Sequence, residues 1–294
     1  MSIRFHNIAL VGKYESAEVT EPVLAIAAFL RSRGATVWIE QGTASSIGGA
    51  GDFPVASYDE IGSQADLAIV VGGDGTMLNA ARRLASHNVP LTGVNLGRLG
   101  FLTDIPGKEA IERLGDILDG AFTEEPRFML AAEVTRADER VFQTVVFNDV
   151  VLNRGDLGRM IEFELFIDGE FVYTLRADGM IVSTPTGSTA YAMSANGPIL
   201  HPTVGGIAVV PLCPHALTAR PITLPDCSKI EIVLSPPHDA RVHFDGQTSF
   251  DVHAGDVLNV TRAPVSVRIL HPESYSYYAM LRGRLHWSET PRRP

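Results

Sequence analysis

A carboxylate set among glycines marks the point where an apolar strand gives way to a helix. Leu67-Ala68-Ile69-Val70-Val71 runs into Gly72-Gly73-Asp74-Gly75-Thr76, and a helical pattern continues to Leu84. The apolar run reads as a strand covered on both faces. Glycines at such a junction bare backbone N–H groups beside the positive end of a helix dipole, which suits phosphate. A carboxylate repels phosphate, so Asp74 makes chemical sense where a neighbouring group has to give up a proton. The same residues also admit a plain turn in which Asp74 caps the helix.

Three further stretches bear on that chemistry. Asn95-Leu96-Gly97-Arg98-Leu99-Gly100-Phe101-Leu102 follows the strand Leu91–Val94. It therefore emerges at the same carboxyl edge of a parallel sheet, where ligands of open α/β folds bind. Asn148-Asp149 interrupts an apolar run from Val141 to Leu152. An Asn amide reads both a donor and an acceptor on an adenine edge, and a carboxylate accepts from ribose hydroxyls; a bulge or turn is the alternative. Asp178 to Tyr191 runs from a turn through Met180-Ile181-Val182 into the hydroxyl-rich loop Ser183 to Thr189. Those hydroxyls suit a nucleotide's ribose or the capping of the short helix expected over Thr189 to Ala195.

Several motifs are missing from the sequence: Gly-x-x-x-x-Gly-Lys-Ser/Thr, Gly-x-Gly-x-x-Gly, His-Glu-x-x-His and Gly-x-Ser-x-Gly. Their absence argues against a P-loop ATPase, an ordinary Rossmann dehydrogenase, a zinc protease and an α/β-hydrolase.

The elements that position these residues fall into two blocks. Up to about residue 126 strands and helices alternate: Ile8–Val11, a helix from Thr20 (as N-cap) to Arg33, Thr36–Glu40, a mobile loop over Gly42–Gly51, then the Asp74 unit and Leu91–Val94. That order predicts a parallel sheet with helices on its faces, Rossmann-like or phosphofructokinase-like. From Arg127 the pattern turns to short strands, including the hairpin Ile161–Ile167, Asp168-Gly169, Glu170–Leu175. It predicts a β-rich, sandwich-like C-terminal domain over 127–272. The aromatic tail 273–294 is expected to dock on the first domain, 1–126.

At 294 residues and a net charge of −10, the chain is long enough for two cores and too acidic for nucleic acid to be a good partner. An anionic ligand must then be held by local devices, namely backbone N–H groups, a few arginines and a divalent metal. Cys213 and Cys227 are the only cysteines and form no Cys-x-x-Cys pair, which fits a reducing cytosol. The apolar run Val23–Leu30 is too short to span a bilayer, and no signal-peptide pattern opens the chain, so the expectation is a cytoplasmic protein without a membrane partner.

Gly72-Gly73-Asp74-Gly75-Thr76, Asn95 to Asp104, Asn148-Asp149, Asp178 to Tyr191, Pro198 to Pro202 and Pro214 to Pro221 occur in the order seen in the NAD kinase family. On these motifs the chain resembles that family over nearly its whole length. The resemblance implies transfer of the terminal phosphoryl group of ATP, or of inorganic polyphosphate, to the 2′-hydroxyl of the adenosine ribose of NAD, giving NADP. It implies Asp74 as proton acceptor, with Gly72, Gly73 and Gly75 at the nucleotide. It implies NAD contacts from Asn148, Asp149, Asp178, Thr189, Ala190, Tyr191, Ala192, Met193 and Ser194, and from Arg159, Arg176 and Gln247. NAD would lie between the two domains. A divalent cation, Mg²⁺, would offset phosphate charge; its ligands are unknown. Dimers or tetramers are expected, with a neighbouring β domain completing the NAD site. The family more often has Glu at the position of Asp149. The glycine motif alone is shared with diacylglycerol and sphingosine kinases, so a lipid kinase is the enzyme alternative. A non-catalytic NAD(P) sensor is the other alternative.

Overall fold

The computed structural model describes residues 3–14, 16–97, 100–155 and 160–287. The chain divides into two compact units, Met1–Pro126 with Val267–Pro294, and Arg127–Ser266. The sequence places the return of the tail at 273; in the structure the chain has already rejoined the first unit at Val267.

The first unit begins β1 (Asn7–Gly12), α1 (Thr20–Ser32), β2 (Thr36–Glu40), α2 (Gln41–Ser46), β3 (Val55–Ala56) and α3 (Tyr58–Gln64). It continues β4 (Leu67–Val71), α4 (Asp74–Leu84), β5 (Leu91–Asn95), β6 (Ile105–Pro106) and α5 (Ala110–Leu118). The strands run parallel in the order β3-β2-β1-β4-β5, and β6 also pairs with β5. Every residue of β4 is buried, as an apolar strand covered on both faces requires. Val23, Ile26, Ala27 and Leu30 of α1 share one core with Leu114 and Ile117 of α5 and with Ile8, Leu10 and Ile69 of the sheet. The helix α4 buries Met77, Leu78, Ala80, Ala81 and Leu84, and its last turn carries Arg82 and Arg83, which complement the helix dipole.

Two local expectations fail here for identifiable reasons. The Gly- and Ser-rich segment after Glu40 opens with a helix, α2, instead of a mobile loop. The buried Glu40 carboxylate accepts from the backbone N–H groups of Gly42 and Thr43 and so caps it. Thr43 in turn accepts from Gly12 N–H through its hydroxyl, which ties that helix to β1. At α1 the N-cap is Val19, and Thr20 is already helical.

The second unit begins within β7 (Phe122–Arg136) and continues β8 (Glu139–Val146), β9 (Asp149–Arg154), β10 (Ile161–Ile167), β11 (Glu170–Ala177) and β12 (Gly179–Ser183). After the short helix α6 (Tyr191–Ser194) come β13 (Gly206–Leu212), β14 (Ile222–Pro225), β15 (Ile230–Leu234), β16 (Ala240–Phe244), β17 (Thr248–Val252) and β18 (Val257–Pro272). One antiparallel sheet has the order β14-β13-β12-β9-β16-β17. Facing it are the antiparallel set β11-β10-β15-β18 and the hairpin β7-β8. Phe163, Leu165 and Ile232 from that side pack with Val182, Val209 and Phe244 from the six-stranded sheet in one core. This is the sandwich expected from the alternation of apolar and polar residues.

The sequence reads Val150–Leu152 as a continuation of the strand before it. The structure breaks that strand: β8 pairs with β7, whereas β9 pairs with β12 and β16. Phe147 and Asn148 are therefore the corner at which the chain changes sheets. Val257–Val260 and Val265–Leu270 prove to be one strand, β18. Its start pairs with β15, and Ile269 pairs with Leu91 of β5 in the first unit's sheet. After it, α7 (Tyr277–Leu285) is capped by the Ser276 hydroxyl. No helix among the described residues is long and apolar enough to cross a membrane.

Candidate active site

In the first unit the carboxyl ends of β1, β4 and β5 meet. The sheet changes direction of build between β1 and β4, the place where open α/β folds hold ligands. A cavity of about 300 Å³ opens there, lined among others by Lys13 after β1, Gly72, Gly73 and Asp74 after β4, Asn95 and Gly97 at β5, and Arg284 of α7. Lys13 and Arg284 have no carboxylate partner among the described residues; Arg284 lies over the Phe101 ring at 5.5 Å. Lys13, Arg284 and the Gly73 backbone make this cavity a candidate anion site in a chain of net charge −10, while Gly72 N–H is already donated to Val94 O at 2.9 Å. Gly75 sits exposed on the first turn of α4 and is not among the lining residues.

Asp74 is not the cap of α4. The N-cap is Gly73, and Asp74 is the first helical residue. Its carboxylate turns to the second glycine loop. Oδ1 accepts from the N–H groups of Leu102 (3.0 Å) and Thr103 (3.2 Å) and from the Thr103 hydroxyl (3.2 Å). Oδ2 accepts from Phe101 N–H at 2.8 Å. Gly100 is required at this approach, because a Cβ there would collide with the Asp74 carboxylate. Asn95 completes the frame, donating to the Thr103 hydroxyl at 2.8 Å and accepting from Gly97 N–H at 2.8 Å. Each carboxylate oxygen has about two acceptor sites. Among the described residues Oδ2 accepts only from Phe101 N–H, which leaves it an acceptor site for a hydroxyl. Arg98 and Leu99 of this loop lie outside the described residues.

The second unit holds a separate polar corner. Asp245, in the turn after β16, accepts from the backbone N–H groups of Phe147 (2.8 Å), Asn148 (2.7 Å) and Asp149 (3.0 Å). Thr184 closes the other side: its N–H donates to Asn148 O at 2.9 Å and its hydroxyl to Phe147 O at 2.6 Å. Gly187 must lack a side chain because a Cβ would strike the Asn148 carbonyl. The Asn148 backbone is thus fully engaged, while its side-chain Oδ1 is buried without a hydrogen-bond partner. An unsatisfied buried amide oxygen is costly, and a ligand N–H would satisfy it. Asp149 is 5% exposed. Burial pushes its pKa up to about 7, with the neighbouring Asp245 charge adding to the rise.

The hydroxyl-rich loop divides in its roles. Thr184 bonds Gly187 N–H, Ser188 bonds Pro185 O and Leu200 N–H, and Thr189 bonds Thr186 O. These hydroxyls cap and brace the loop itself. The buried Arg127 donates to Thr186 at 3.2 Å. Along Thr189, Ala190, Tyr191, Ala192, Met193 and Ser194 the Ala192 side chain is fully buried, whereas Tyr191 is 45% exposed. Tyr191 and Ser194 line a cavity with Asn196, Cys213 and Arg220. Gln247 is exposed in the turn that carries Asp245.

The remaining expected residues do not join the Asn148 corner. Asp178 pairs with Arg154 at 3.1 Å, at the start of β12. Arg176 is exposed on β11, 3.8 Å from Glu162. Since Ser183 pairs with Asp149, Asp178 stands five residues of strand away from that corner, roughly 16 Å. Arg159 lies outside the described residues.

Sequence reasoning missed Asp245, Arg127, Thr103 and Arg284. Only Asp245 has a local signal, the turn dipeptide Asp245-Gly246 at positive φ. Among the described residues no three His, Cys, Asp or Glu side chains gather to hold a metal ion. The acids at the first unit's cavity are Asp74 and Glu18. That donor set fits a cation carried mainly on phosphate oxygens and water, with one or two carboxylates at most.

Comparison with known proteins places both halves. The family described as ATP-NAD kinase N-terminal domain matches residues 8–122, and the ATP-NAD kinase C-terminal domain matches 147–271. An NAD kinase of Aromatoleum aromaticum is 72% identical, covering 100% of this chain and 98% of its own. One from Azoarcus sp. strain BH72 is 71% identical, covering 99% of each. Among solved structures, yeast NADH kinase complexed with NADH superposes with a TM-score of 0.87 at 26% identity, over 98% of this chain and 90% of its own. An Archaeoglobus fulgidus NAD kinase in complex with ATP shares the fold, with a TM-score of 0.74 at 24% identity over 95% of this chain and 98% of its own. Glycine loops, the amide-held carboxylate and the two matched domains agree: the chain belongs to the NAD kinase family.

Proposed function

We propose that the chain transfers the terminal phosphoryl group of ATP, or of polyphosphate, to the 2′-hydroxyl of the adenosine ribose of NAD. The observation that carries this reading is Asp74, a carboxylate fixed by the Phe101, Leu102 and Thr103 N–H groups yet left with an acceptor site on Oδ2 beside the glycine backbone. Phosphoryl transfer asks for positioning and charge stabilisation more than for covalent help. Gly73 offers backbone to the donor's phosphates, Gly72 allows their close approach while its N–H stays bonded to Val94 O, and Lys13 and Arg284 supply positive charge. Asp74 orients the ribose hydroxyl and takes its proton as the oxygen attacks phosphorus. Mg²⁺, when bound on the phosphates, neutralises charge that builds during transfer.

The second unit supplies recognition in this reading. Asn148 reads the adenine edge through its unpartnered amide oxygen, and Asp149 accepts from ribose hydroxyls. Asp178, just before β12, and Arg176, on β11, serve a site completed by a second copy of the chain, so the working form is a homodimer or homotetramer. The enzyme acts in the cytoplasm. The test is incubation of the pure protein with NAD, ATP or polyphosphate, and Mg²⁺, with NADP read through an NADP-specific dehydrogenase. NADP formation is expected; no product with any donor overturns the reading.

A further inference from the structure

The first unit holds a buried ionic cluster that the reaction above does not use. His271, near the end of β18, is 1% exposed, and its Nδ1 lies 2.8 Å from Asp104 Oδ2, a carboxylate 3% exposed. Its Nε2 lies 3.7 Å from Glu125 Oε1 of β7, in ion-pair range. The Tyr275 ring stacks on the imidazole at 3.9 Å and 9°. Asp104 Oδ1 is buried without a hydrogen-bond partner, so His271 is the one group among the described residues that hydrogen-bonds this carboxylate. A buried carboxylate left without its counter-charge is strongly unfavourable, and His271 thereby fixes where Asp104 sits.

Asp104 directly follows Thr103, which binds Asp74 through both its N–H and its hydroxyl. The turn Gly100–Asp104 is closed by the Gly100 N–H to Thr103 O bond (3.1 Å) and enters β6 at Ile105. We propose that His271 is a positioning residue for Asp74, holding the turn whose N–H groups aim the carboxylate. This rests on the reading of Asp74 as proton acceptor. The contact runs His271 to Asp104, then through the backbone to Thr103 and across to Asp74.

The charged groups that face the ring are Asp104, from the turn before β6, and Glu125, from β7. Burial pulls the imidazole's pKa down, but hydrogen bonding and charge attraction to Asp104 and Glu125 outweigh it, so the ring is held above its ordinary value. A raised histidine keeps its contribution at low pH and loses it as pH rises through the folded-state pKa. The hold on Asp74 therefore weakens on the alkaline side.

The test compares kcat and KM of the wild type and His271→Gln across pH 6 to 10. A misaimed catalytic group costs about tenfold to a hundredfold. The expected result at neutral pH is a kcat lowered by that factor, with KM for NAD and for the phosphate donor unchanged. An alkaline fall of kcat is expected in the wild type and is expected to be absent in the variant. A variant with wild-type kcat, or with a pH profile parallel to the wild type, overturns the proposal. If His271→Gln does not fold, hydrogen exchange on the wild type decides instead. Protection of the Phe101, Leu102 and Thr103 amides, corrected for intrinsic rates, is expected to fall as the imidazolium deprotonates; constant protection overturns the proposal. A wild type that makes no NADP refutes the kinase reading itself, a different outcome from either of these.

Discussion

Thr103 holds Asp74 twice, through its backbone N–H and through its hydroxyl, each 3.2 Å from Oδ1. Asp74 opens the helix that follows β4, and Thr103 lies in the loop that follows the neighbouring parallel strand β5. The carboxylate that looks misplaced in a phosphate cradle is what joins the two glycine loops. Its charge is met by backbone dipoles, so it stands beside an anion site without a cation of its own. That arrangement leaves Lys13 and Arg284, which line the same cavity, without a carboxylate partner among the described residues.

Asp74→Asn tests the acceptor role. The amide retains one oxygen for the loop and places an NH₂ against donors, so some stability is lost; an unmet buried donor costs about 1–3 kcal/mol. A general base contributes about 10²- to 10⁴-fold, and kcat for NADP formation is expected to fall by that factor with KM for NAD near the wild-type value. An Asn variant that keeps most of its activity removes Asp74 from the proton-transfer step.

Arg284→Met tests the tail helix as part of the donor site. A hydrogen bond to a charged group is worth about 1.5–3 kcal/mol, so KM for the phosphate donor should rise by roughly ten- to a hundredfold, the lower end applying at a cavity open to water. KM for NAD should not change, and the donor effect should shrink as ionic strength rises. Steady-state kinetics with each substrate varied in turn measures both. Equal changes in the two KM values would show that the substitution acts through general unfolding of α7.

Periodicity and local signals made much of this legible. The buried run Leu67–Val71, the stripe on α1 and the hairpin at Asp168-Gly169 are written in spacing that any helix or strand of their kind must show. Asp74, Asn148 and Asp149 stood out because a polar residue in an apolar setting demands a reason. What stayed hidden depends on long-range placement. The Asp245 clip on Phe147–Asp149 joins residues 96 to 98 positions apart. Thr103 and Arg284 owe their roles to where a loop and a tail return. The helix after Glu40 was masked by a composition that reads as loop until the carboxylate that caps it is seen to be buried.

Asp149 gives a pH signature. Its carboxyl, pushed up to about 7 mainly by burial, is ionised above that pH and neutral below it. In its proposed role as acceptor for ribose hydroxyls it works in the ionised form, so KM for NAD should fall as pH rises through about 7 in the wild type and stay flat in Asp149→Asn. Stability runs the other way. A carboxyl whose folded pKa is raised contributes stability only below its unfolded pKa and loses it progressively up to the folded value. Asp149→Asn should therefore gain relative to the wild type above pH 7, by at most about 4 kcal/mol. Thermal melting at pH 5 and pH 8.5 measures the difference, and equal gains at both would remove Asp149 from the titration.

The proposal that a second chain brings its Asp178 to the Asn148 corner is tested by complementation. The two residues lie at opposite ends of the β9–β12 pair, where Ser183 faces Asp149 and Gly179 faces Asn153. One nicotinamide dinucleotide served by both ends of a single strand pair would have to stretch along the sheet, whereas a symmetric neighbour can bring its own Asp178 to the Asn148 corner. Asn148→Ala and Asp178→Ala are each expected to be nearly inactive alone. In an isologous dimer that pairs one of each, one site carries both substitutions and the other carries neither. Mixed dimers isolated through two different tags should then recover about half of the wild-type rate. Mixed dimers as inactive as either parent would place Asp178 in the same chain's site, or outside any NAD site.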